Sequence, residues 1–262
     1  MALRVVLIDL DDTLIVDEAV SREAFQAVAR YARDRHGAEV ERFARDAAEE
    51  ARTLWQAGPC QAFCRDLGIS AFECLWGQFE GEGELAQLRK WALSFREQVF
   101  DHALRQQMIE SAEGSRDLAE AFSRERRLLQ RLMPDARETL TRLSARYALG
   151  MLTNGAPDLQ REKIATSGLE SLFKEVVISG VYGIGKPRPE IFLHLTDRLG
   201  VAPGEAVMVG NSLERDIAGA RNAGIRSIWL KVAGSEEPAA AKPDFTIAGL
   251  MELPALLEQI ST

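Results

Sequence analysis

Residues 4–14 read Arg-Val-Val-Leu-Ile-Asp-Leu-Asp-Asp-Thr-Leu, an apolar run that ends among three carboxylates. The run at 4–8 is continuous rather than alternating, which is typical of a strand buried on both faces of a parallel sheet. In an open α/β sheet, ligands bind beyond the carboxyl ends of the strands. Asp9, Asp11 and Asp12 would repel one another there unless a cation neutralises them, and a hard divalent cation suits oxygen ligands. The stretch predicts a first strand followed by a metal site, whose carboxylates can serve as nucleophile and as acid or base.

Later apolar runs of the same kind predict the remaining strands, which are expected at 148–152, 175–178, 206–209, 225–230 and 245–247. Stretches with helical spacing lie between them. Several of these open with Pro and are followed by Gly, the usual asymmetry of helix ends. Strands that alternate with helices predict βαβ units, and therefore an α/β protein with a doubly wound parallel sheet of the Rossmann-like kind. Residues 236–243 predict a surface loop before the last strand.

Residues 17–133 differ from the rest of the chain because they contain no pattern of a buried strand. They are rich in Ala, Glu, Arg, Gln and Leu, which favour helices, and they carry most of the large aromatic residues. We predict an all-helical domain here, inserted after the first strand. The α/β core is then formed by residues 1–16 and 134–262.

Polar residues follow three of the later strands. Thr153 and Asn154 offer a hydroxyl and backbone N–H groups that can form a small anion-binding corner, although such a sequence is often only a turn. Lys186 stands between Gly185 and Pro187, a rigid setting that can hold an ammonium over an anion. The preceding glycines resemble a P-loop, but Pro187 replaces the required hydroxyl residue, which argues against nucleotide binding.

The fourth polar strand end lies at residues 210–216, where Asn211 adds an amide and Asp216 is predicted to reach back toward the cation. An alternative interpretation is that Asn211 or Ser212 only caps the helix that begins near Leu213.

The composition limits the classes of function. The chain has 262 residues with 32 basic and 40 acidic side chains, a net charge of -8, which argues against a nucleic-acid partner. No run of about 18 uncharged apolar residues is present, so we expect no membrane partner. Three Cys residues make a disulfide scaffold improbable and favour a reducing compartment, and we expect a cytoplasmic protein. The sequence does not indicate an oligomeric state.

Taken together, the four polar strand ends resemble the motifs of the haloacid dehalogenase-like (HAD) superfamily, on its phosphatase side. The match comprises D-x-D-x-T-L at 9–14, Thr153, Lys186 followed by Pro187, and G-x-x-x-x-x-D at 210–216. The resemblance covers residues 1–16 and about 134–260. It implies that residues 17–133 are a C1 cap, the mostly helical lid of that family.

The resemblance also implies a reaction, the hydrolysis of a small phosphorylated metabolite. Asp9 would be the nucleophile that forms an aspartyl-phosphate, and Asp11 would protonate the leaving oxygen and then activate water. The phosphoryl oxygens would be held by Thr153, Asn154 and Lys186. The resemblance implies Mg²⁺ as the cofactor, with ligands from Asp9, the backbone carbonyl of Asp11, Asn211 and Asp216.

Other activities of the same superfamily remain open at this point. Asp11 argues against a dehalogenase, which lacks this second carboxylate, whereas a phosphomutase would use the same motifs. Asn211 stands where the family usually has Asp. That departure removes a negative charge from the metal site and leaves open a catalytically weakened HAD-fold binding protein.

Overall fold

The computed structural model describes residues 2–232 and 242–260, so the loop predicted at 236–243 lies mostly outside the described residues. The chain forms two compact units. An α/β unit comprises Met1–Val16, Asp66–Gly68 and Arg131–Thr262, and a helical unit comprises Asp17–Arg65 and Ile69–Gln130.

The secondary structure alternates as expected in the α/β unit. The strands are β1 (Val5–Ile8), β2 (Ile15–Val16), β3 (Arg131–Leu132), β4 (Ala148–Thr153), β5 (Glu175–Ile178), β6 (Ala206–Gly210), β7 (Arg226–Leu230) and β8 (Phe245–Ile247). The α-helices are α1 (Glu18–His36), α2 (Val40–Gln56), α3 (Gln61–Leu67), α4 (Ala71–Cys74), α5 (Glu84–Arg105), α6 (Ala112–Leu128), α7 (Ala136–Ser144), α8 (Pro157–Ser167), α9 (Ser179–Tyr182), α10 (Pro189–Arg198), α11 (Ala218–Asn222) and α12 (Leu253–Ile260).

Six of the strands form one parallel sheet in the order β5-β4-β1-β6-β7-β8. The central strand β1 pairs with both β4 and β6, so that Val5 lies beside Ala148 and Ala206. The chain runs outward through β4 and β5 and then crosses to β6 on the other side of β1. The strand order therefore reverses at β1, the position where open α/β sheets bind ligands. The predicted doubly wound α/β fold is confirmed.

The continuous apolar character of β1 follows from burial on both faces of the sheet. Val6 and Ile8 pack into one hydrophobic cluster, with the inner faces of α7 and α12. Val5 and Leu7 pack into a second cluster, with α10 and α11. Because successive side chains point to opposite faces, a strand covered on both sides needs apolar residues at every position.

Two local features differ from the sequence-based expectation. The short antiparallel pair of β2 and β3 was not predicted, because two residues are too few to show a strand pattern. The helix expected from Leu213 begins instead as a π-helical turn over Leu213–Ile217. In this turn the carbonyl of Ser212 accepts hydrogen bonds from the N–H groups of Asp216 and Ile217, at 2.9 and 3.2 Å. Turns of this type occur frequently at functional sites.

In the helical unit, the aromatic residues form the core, as their abundance in the sequence predicts. Phe25 lies at its centre, with ring centroids 4.6 Å from Phe122 and 5.2 Å from Phe72. This unit contains helices and no strand, and all of its residues are described. Across residues 2–232 and 242–260, no helix is both long and apolar enough to cross a bilayer.

A buried arginine in the helical unit supports a stability prediction. The side chain of Arg126 is fully buried, lies 4.8 Å above the ring of Trp76, and bonds to Ser21 Oγ and to the Asp17 carboxylate. We expect Asp17→Ala to lower the free energy of unfolding by about 3 kcal/mol, because the buried guanidinium loses its counter-ion.

Denaturant unfolding measures this effect. The control is Asp34→Ala, which removes an ion pair to Arg33 that is exposed to solvent. It should cost less than about 1 kcal/mol. Equal losses for the two variants would contradict the importance of the buried pair.

Candidate active site

The ammonium of Lys186 joins two of the predicted site carboxylates. Its Nζ lies 2.5 Å from Asp9 Oδ1 and 2.7 Å from Asp216 Oδ1, and it also donates to the carbonyl of Leu152 at 2.9 Å. All three charged side chains are buried, with 3% of Lys186, 6% of Asp9 and 1% of Asp216 exposed. Lys186 is therefore an internal cation, not a solvated loop residue.

Burial and charge shift the ionisation of this cluster. The pKa of Asp9 is raised to about 6, chiefly by burial and also by the nearby Asp216 carboxylate, against the opposing effect of Lys186. Burial alone would lower the pKa of Lys186, but the carboxylates of Asp216 and Asp9 outweigh it and raise that pKa. The lysine is thus charged at neutral pH, and its ammonium opposes the effect of burial on the pKa of Asp9.

The loop after β1 aims the motif's side chains. The N–H groups of Thr13, Leu14 and Ile15 all bond to the carbonyl of Leu10, which folds the chain into a tight turn. Asp12 takes a positive φ of 55° there, a conformation that Asp tolerates better than most residues. The turn places the buried Thr13 hydroxyl 3.0 Å from Asp9 Oδ2, so that Asp9 is held at both oxygens. Sequence reasoning assigned no role to Thr13, although its place in the motif was a usable signal.

Asp11 is held by two residues that sequence reasoning missed. Lys163 Nζ lies 2.9 Å from its Oδ1, and Gln160 Nε2 lies 2.8 Å from its Oδ2. Both partners are on α8 and are fully buried. The signal was weak: α8 has few apolar residues, and these two polar ones are three apart, on one helix face.

The predicted phosphate-binding pair divides into two roles. Thr153 Oγ1 lies at the end of β4, 2.7 Å from Gln160 Nε2. The side-chain amide of Asn154 instead bonds to the backbone of Lys186, with Nδ2 donating to its carbonyl and Oδ1 accepting from its N–H, both at 2.9 Å. The Asn154 side chain thus fixes the lysine loop.

The structure also distinguishes the two interpretations of the fourth strand end. Ser212 is the residue that caps the helical turn, because its hydroxyl accepts from Arg215 N–H at 3.1 Å. Asn211 Oδ1 lies 3.4 Å from Thr13 Oγ1, on the side of the Asp9 carboxylate. Asp216 Oδ2 accepts from the Ser212 N–H at 2.9 Å, and its Oδ1 faces Lys186. Because Ser212 is the cap, helix capping does not explain the position of the Asn211 side chain.

The donor set suits Mg²⁺. Three carboxylates, on Asp9, Asp11 and Asp216, face two ammonium groups, and the amide oxygen of Asn211 adds a neutral donor. Within the described ranges, no three His, Cys, Asp or Glu side chains are arranged to enclose a metal by themselves. The oxygen donors themselves are of the kind that magnesium takes, since it binds one or two carboxylates and completes its shell with water and substrate phosphate.

Comparison with known proteins places this site in a family. A family model for haloacid dehalogenase-like hydrolases matches residues 3–224. The phosphoserine phosphatase of Thermus thermophilus is 41% identical over 252 residues, which are 96% of this chain and 98% of that protein. The N-acylneuraminate-9-phosphatase of Rattus norvegicus is also 41% identical, but over 131 residues, 49% of this chain and 53% of that protein.

A solved structure shares the fold. The HAD-hydrolase YfnB from Bacillus subtilis, whose structure was determined bound to magnesium, has a TM-score of 0.68 and 20% identity, covering 98% of this chain and 99% of that chain. With the motif geometry, the family match and the near full-length similarity to a phosphatase in agreement, the chain belongs to the haloacid dehalogenase-like hydrolases, on the phosphatase side of that family.

Proposed function

We propose that the chain hydrolyses a small phosphorylated metabolite in a Mg²⁺-dependent reaction through an aspartyl-phosphate on Asp9, and that phosphoserine is the foremost candidate substrate. The observation that carries the proposal is the pairing of two differently held carboxylates at one strand end. Asp9 is fixed by Lys186 and Thr13, whereas Asp11 is fixed by Lys163 and Gln160. This reaction requires a nucleophile and a separate acid/base.

The chain's residues divide the work of phosphoryl transfer. An Asp9 oxygen attacks phosphorus as the bond to the leaving oxygen breaks, and Asp11 supplies the proton to that oxygen. Asp11 then accepts a proton from the water that attacks the aspartyl-phosphate, which releases phosphate and regenerates Asp9. Lys186 and the Thr153 hydroxyl would hold the phosphoryl oxygens, because positioning and charge neutralisation dominate such reactions.

The metal would be held by Asp9, the backbone carbonyl of Asp11, Asn211 and Asp216. When bound there, Mg²⁺ neutralises charge on the transferring phosphoryl group. Asp9 and Asp216 also bind Lys186, which limits their mutual repulsion before the substrate arrives.

The choice of phosphoserine rests on which part of the chain is shared. We propose that residues 17–133 act as the cap that selects the substrate. The similarity to the phosphoserine phosphatase spans 252 residues and therefore includes most of this insertion together with the core, whereas the similarity to the N-acylneuraminate-9-phosphatase spans 131 residues, 49% of this chain. We also propose that the protein acts in the cytoplasm, because its three cysteines are free thiols.

A phosphate-release assay tests the proposal. Purified protein is incubated with phosphoserine, N-acylneuraminate 9-phosphate or p-nitrophenyl phosphate, with Mg²⁺ or with EDTA. We expect the highest kcat/KM for phosphoserine and loss of activity in EDTA. Activity that persists in EDTA would refute the metal dependence. Preference for another ester would refute the substrate alone, and inactivity on all three would favour the binding-protein alternative that Asn211 raises.

Asn211 gives a separate prediction about metal affinity. We expect Asn211→Asp to lower the Mg²⁺ concentration for half-maximal activity about fivefold, since the affinity of a hard cation rises with ligand charge. Turnover at saturating metal should change little, because Asp9 and Asp11 are untouched. A Mg²⁺ titration measures the midpoint. The matched control is Asn222→Asp, which adds the same charge at an exposed site on α11 and should leave the midpoint unchanged. An unchanged midpoint in the Asn211 variant would place this residue outside the metal's reach.

A further inference from the structure

The inner face of α8 is unusually polar for a helix packed against a sheet. Its buried residues are Leu159, Gln160, Lys163, Ile164 and Ser167. Gln160 and Lys163 have no exposed surface at all. An amide and an ammonium are costly to bury, and an apolar residue at either position would satisfy packing. Their presence indicates a role other than filling the core.

Both side chains converge on Asp11, one on each carboxylate oxygen. Lys163 Nζ is 2.9 Å from Oδ1, and Gln160 Nε2 is 2.8 Å from Oδ2. Two anchors on opposite oxygens fix the plane of the carboxylate as well as its position. The Asp11 side chain remains 25% exposed, so one side is still open to a substrate or water. Each oxygen has a second lone pair, so a hydrogen bond from α8 leaves a site on that oxygen where a proton can be accepted.

Gln160 also connects Asp11 to the phosphate-binding strand end. Its Nε2 lies 2.7 Å from Thr153 Oγ1 and 2.6 Å from the carbonyl of Asn154. Its Oε1 is buried without a hydrogen-bond partner among the described residues, which costs free energy. The orientation of the Gln160 amide is therefore explained by the contacts of its Nε2, and not by its oxygen, which has no hydrogen bond within the described part of the chain.

The two buried lysines of the site serve different carboxylates. Lys186 reaches Asp9 and Asp216, where the phosphoryl group is transferred, whereas Lys163 reaches Asp11. We infer that Gln160 and Lys163 are positioning residues, which hold the Asp11 carboxyl group in the orientation from which it passes a proton to the leaving oxygen. This inference rests on the proposed phosphatase function, in which Asp11 is the acid/base.

The need for a proton from Asp11 differs between substrates with different leaving groups, and this difference can be tested. Nitrophenolate is less basic than phenolate, so its departure needs less protonation by the enzyme. A misplaced Asp11 should therefore slow phenyl phosphate more than p-nitrophenyl phosphate. The parameter to compare is kcat/KM, since it covers the steps up to formation of the aspartyl-phosphate and excludes its later hydrolysis. A loss of folded protein would lower kcat/KM equally for both esters.

The variants are Lys163→Met and Gln160→Met, which keep side-chain length and remove the donors. We expect each to lower kcat/KM about tenfold or more for phenyl phosphate and less than about threefold for p-nitrophenyl phosphate, since general acid catalysis contributes roughly a hundredfold or more. Asp11→Asn is the benchmark and should show the same selectivity to a larger degree. Lys174→Met, at an exposed lysine of the same unit, should change neither value. Because the Lys163 variant could fold poorly, the Gln160 variant provides an independent test, and melting temperatures are measured for both.

The outcomes separate the inference from the proposed function. Selective loss in either folded variant, with selectivity in Asp11→Asn, supports positioning. Equal losses for the two esters in both variants, while Asp11→Asn is selective, would overturn the positioning role and leave the phosphatase proposal standing. A wild-type protein inactive on both esters, or an Asp11→Asn variant without selectivity, would overturn the assignment of Asp11 and the inference with it.

Discussion

Asp9→Asn is expected to abolish turnover and to leave the protein folded. The amide is a poor nucleophile and removes a charge from the metal site, so kcat should fall by about a thousandfold or more. The fold should persist, because Asn has nearly the same shape. In the variant, the amide oxygen can still accept a hydrogen bond from Lys186, and the amide nitrogen can donate one to the Thr13 hydroxyl. In the wild type, this hydroxyl donates to the other oxygen of the Asp9 carboxylate.

Steady-state phosphate release at saturating Mg²⁺ measures this loss, and the circular dichroism spectrum and melting temperature report folding. The matched control is Asp12→Asn, the same change in the same loop. Asn tolerates the positive φ of 55° at that position, so the control should keep most of the activity. A folded Asp9→Asn protein with more than about a tenth of wild-type turnover would contradict the nucleophile assignment.

The sheet was predictable because its central strands are buried on both faces. Such strands need apolar residues at successive positions, and the structure contains all six predicted strands. The grouping of the strand ends into one site was also predictable, because it follows from the order of the strands in the sheet. Once β1, β4 and β6 are neighbours in a parallel sheet, the residues that follow them lie at one edge. Asp9, Thr153 and Asn211 could thus be assigned to one site without knowledge of any side-chain geometry.

The support around these residues could not be predicted. Lys163 and Gln160 have the composition of a solvated helix face, and only the packing of α8 shows that they are buried. The π-helical turn at Leu213–Ile217 also escaped prediction, because α- and π-turns accept the same residues. Asn154 is a third case. Its polarity suggested an anion ligand, but its side chain is used by the backbone of Lys186, a contact between residues 32 positions apart.

Replacing Lys186 is expected to have the second large effect, because it should lower both the activity and the stability of the protein. In Lys186→Met, the carboxylates of Asp9 and Asp216 remain buried without the cation that now lies within 2.7 Å of both. We expect the free energy of unfolding, measured in EDTA, to fall by about 3 kcal/mol, because removing one partner leaves buried charge uncompensated. We also expect kcat to fall by about a hundredfold or more, because a positioned cation on the phosphoryl oxygens is lost.

A comparison with and without Mg²⁺ separates these two losses. If the metal binds Asp9 and Asp216 as proposed, it should stabilise Lys186→Met more than wild type, because it supplies the charge that the variant lacks. Added Mg²⁺ should then recover part of the stability but little of the activity, since a methionine cannot hold the phosphoryl group. Lys174→Met, an exposed lysine, is the control and should be near wild type in both measurements. If the variant loses less than about 1 kcal/mol of stability in EDTA, the charges of Lys186, Asp9 and Asp216 do not stabilise one another as their short distances indicate. Equal stabilisation of variant and wild type by Mg²⁺ would place the metal away from these two carboxylates.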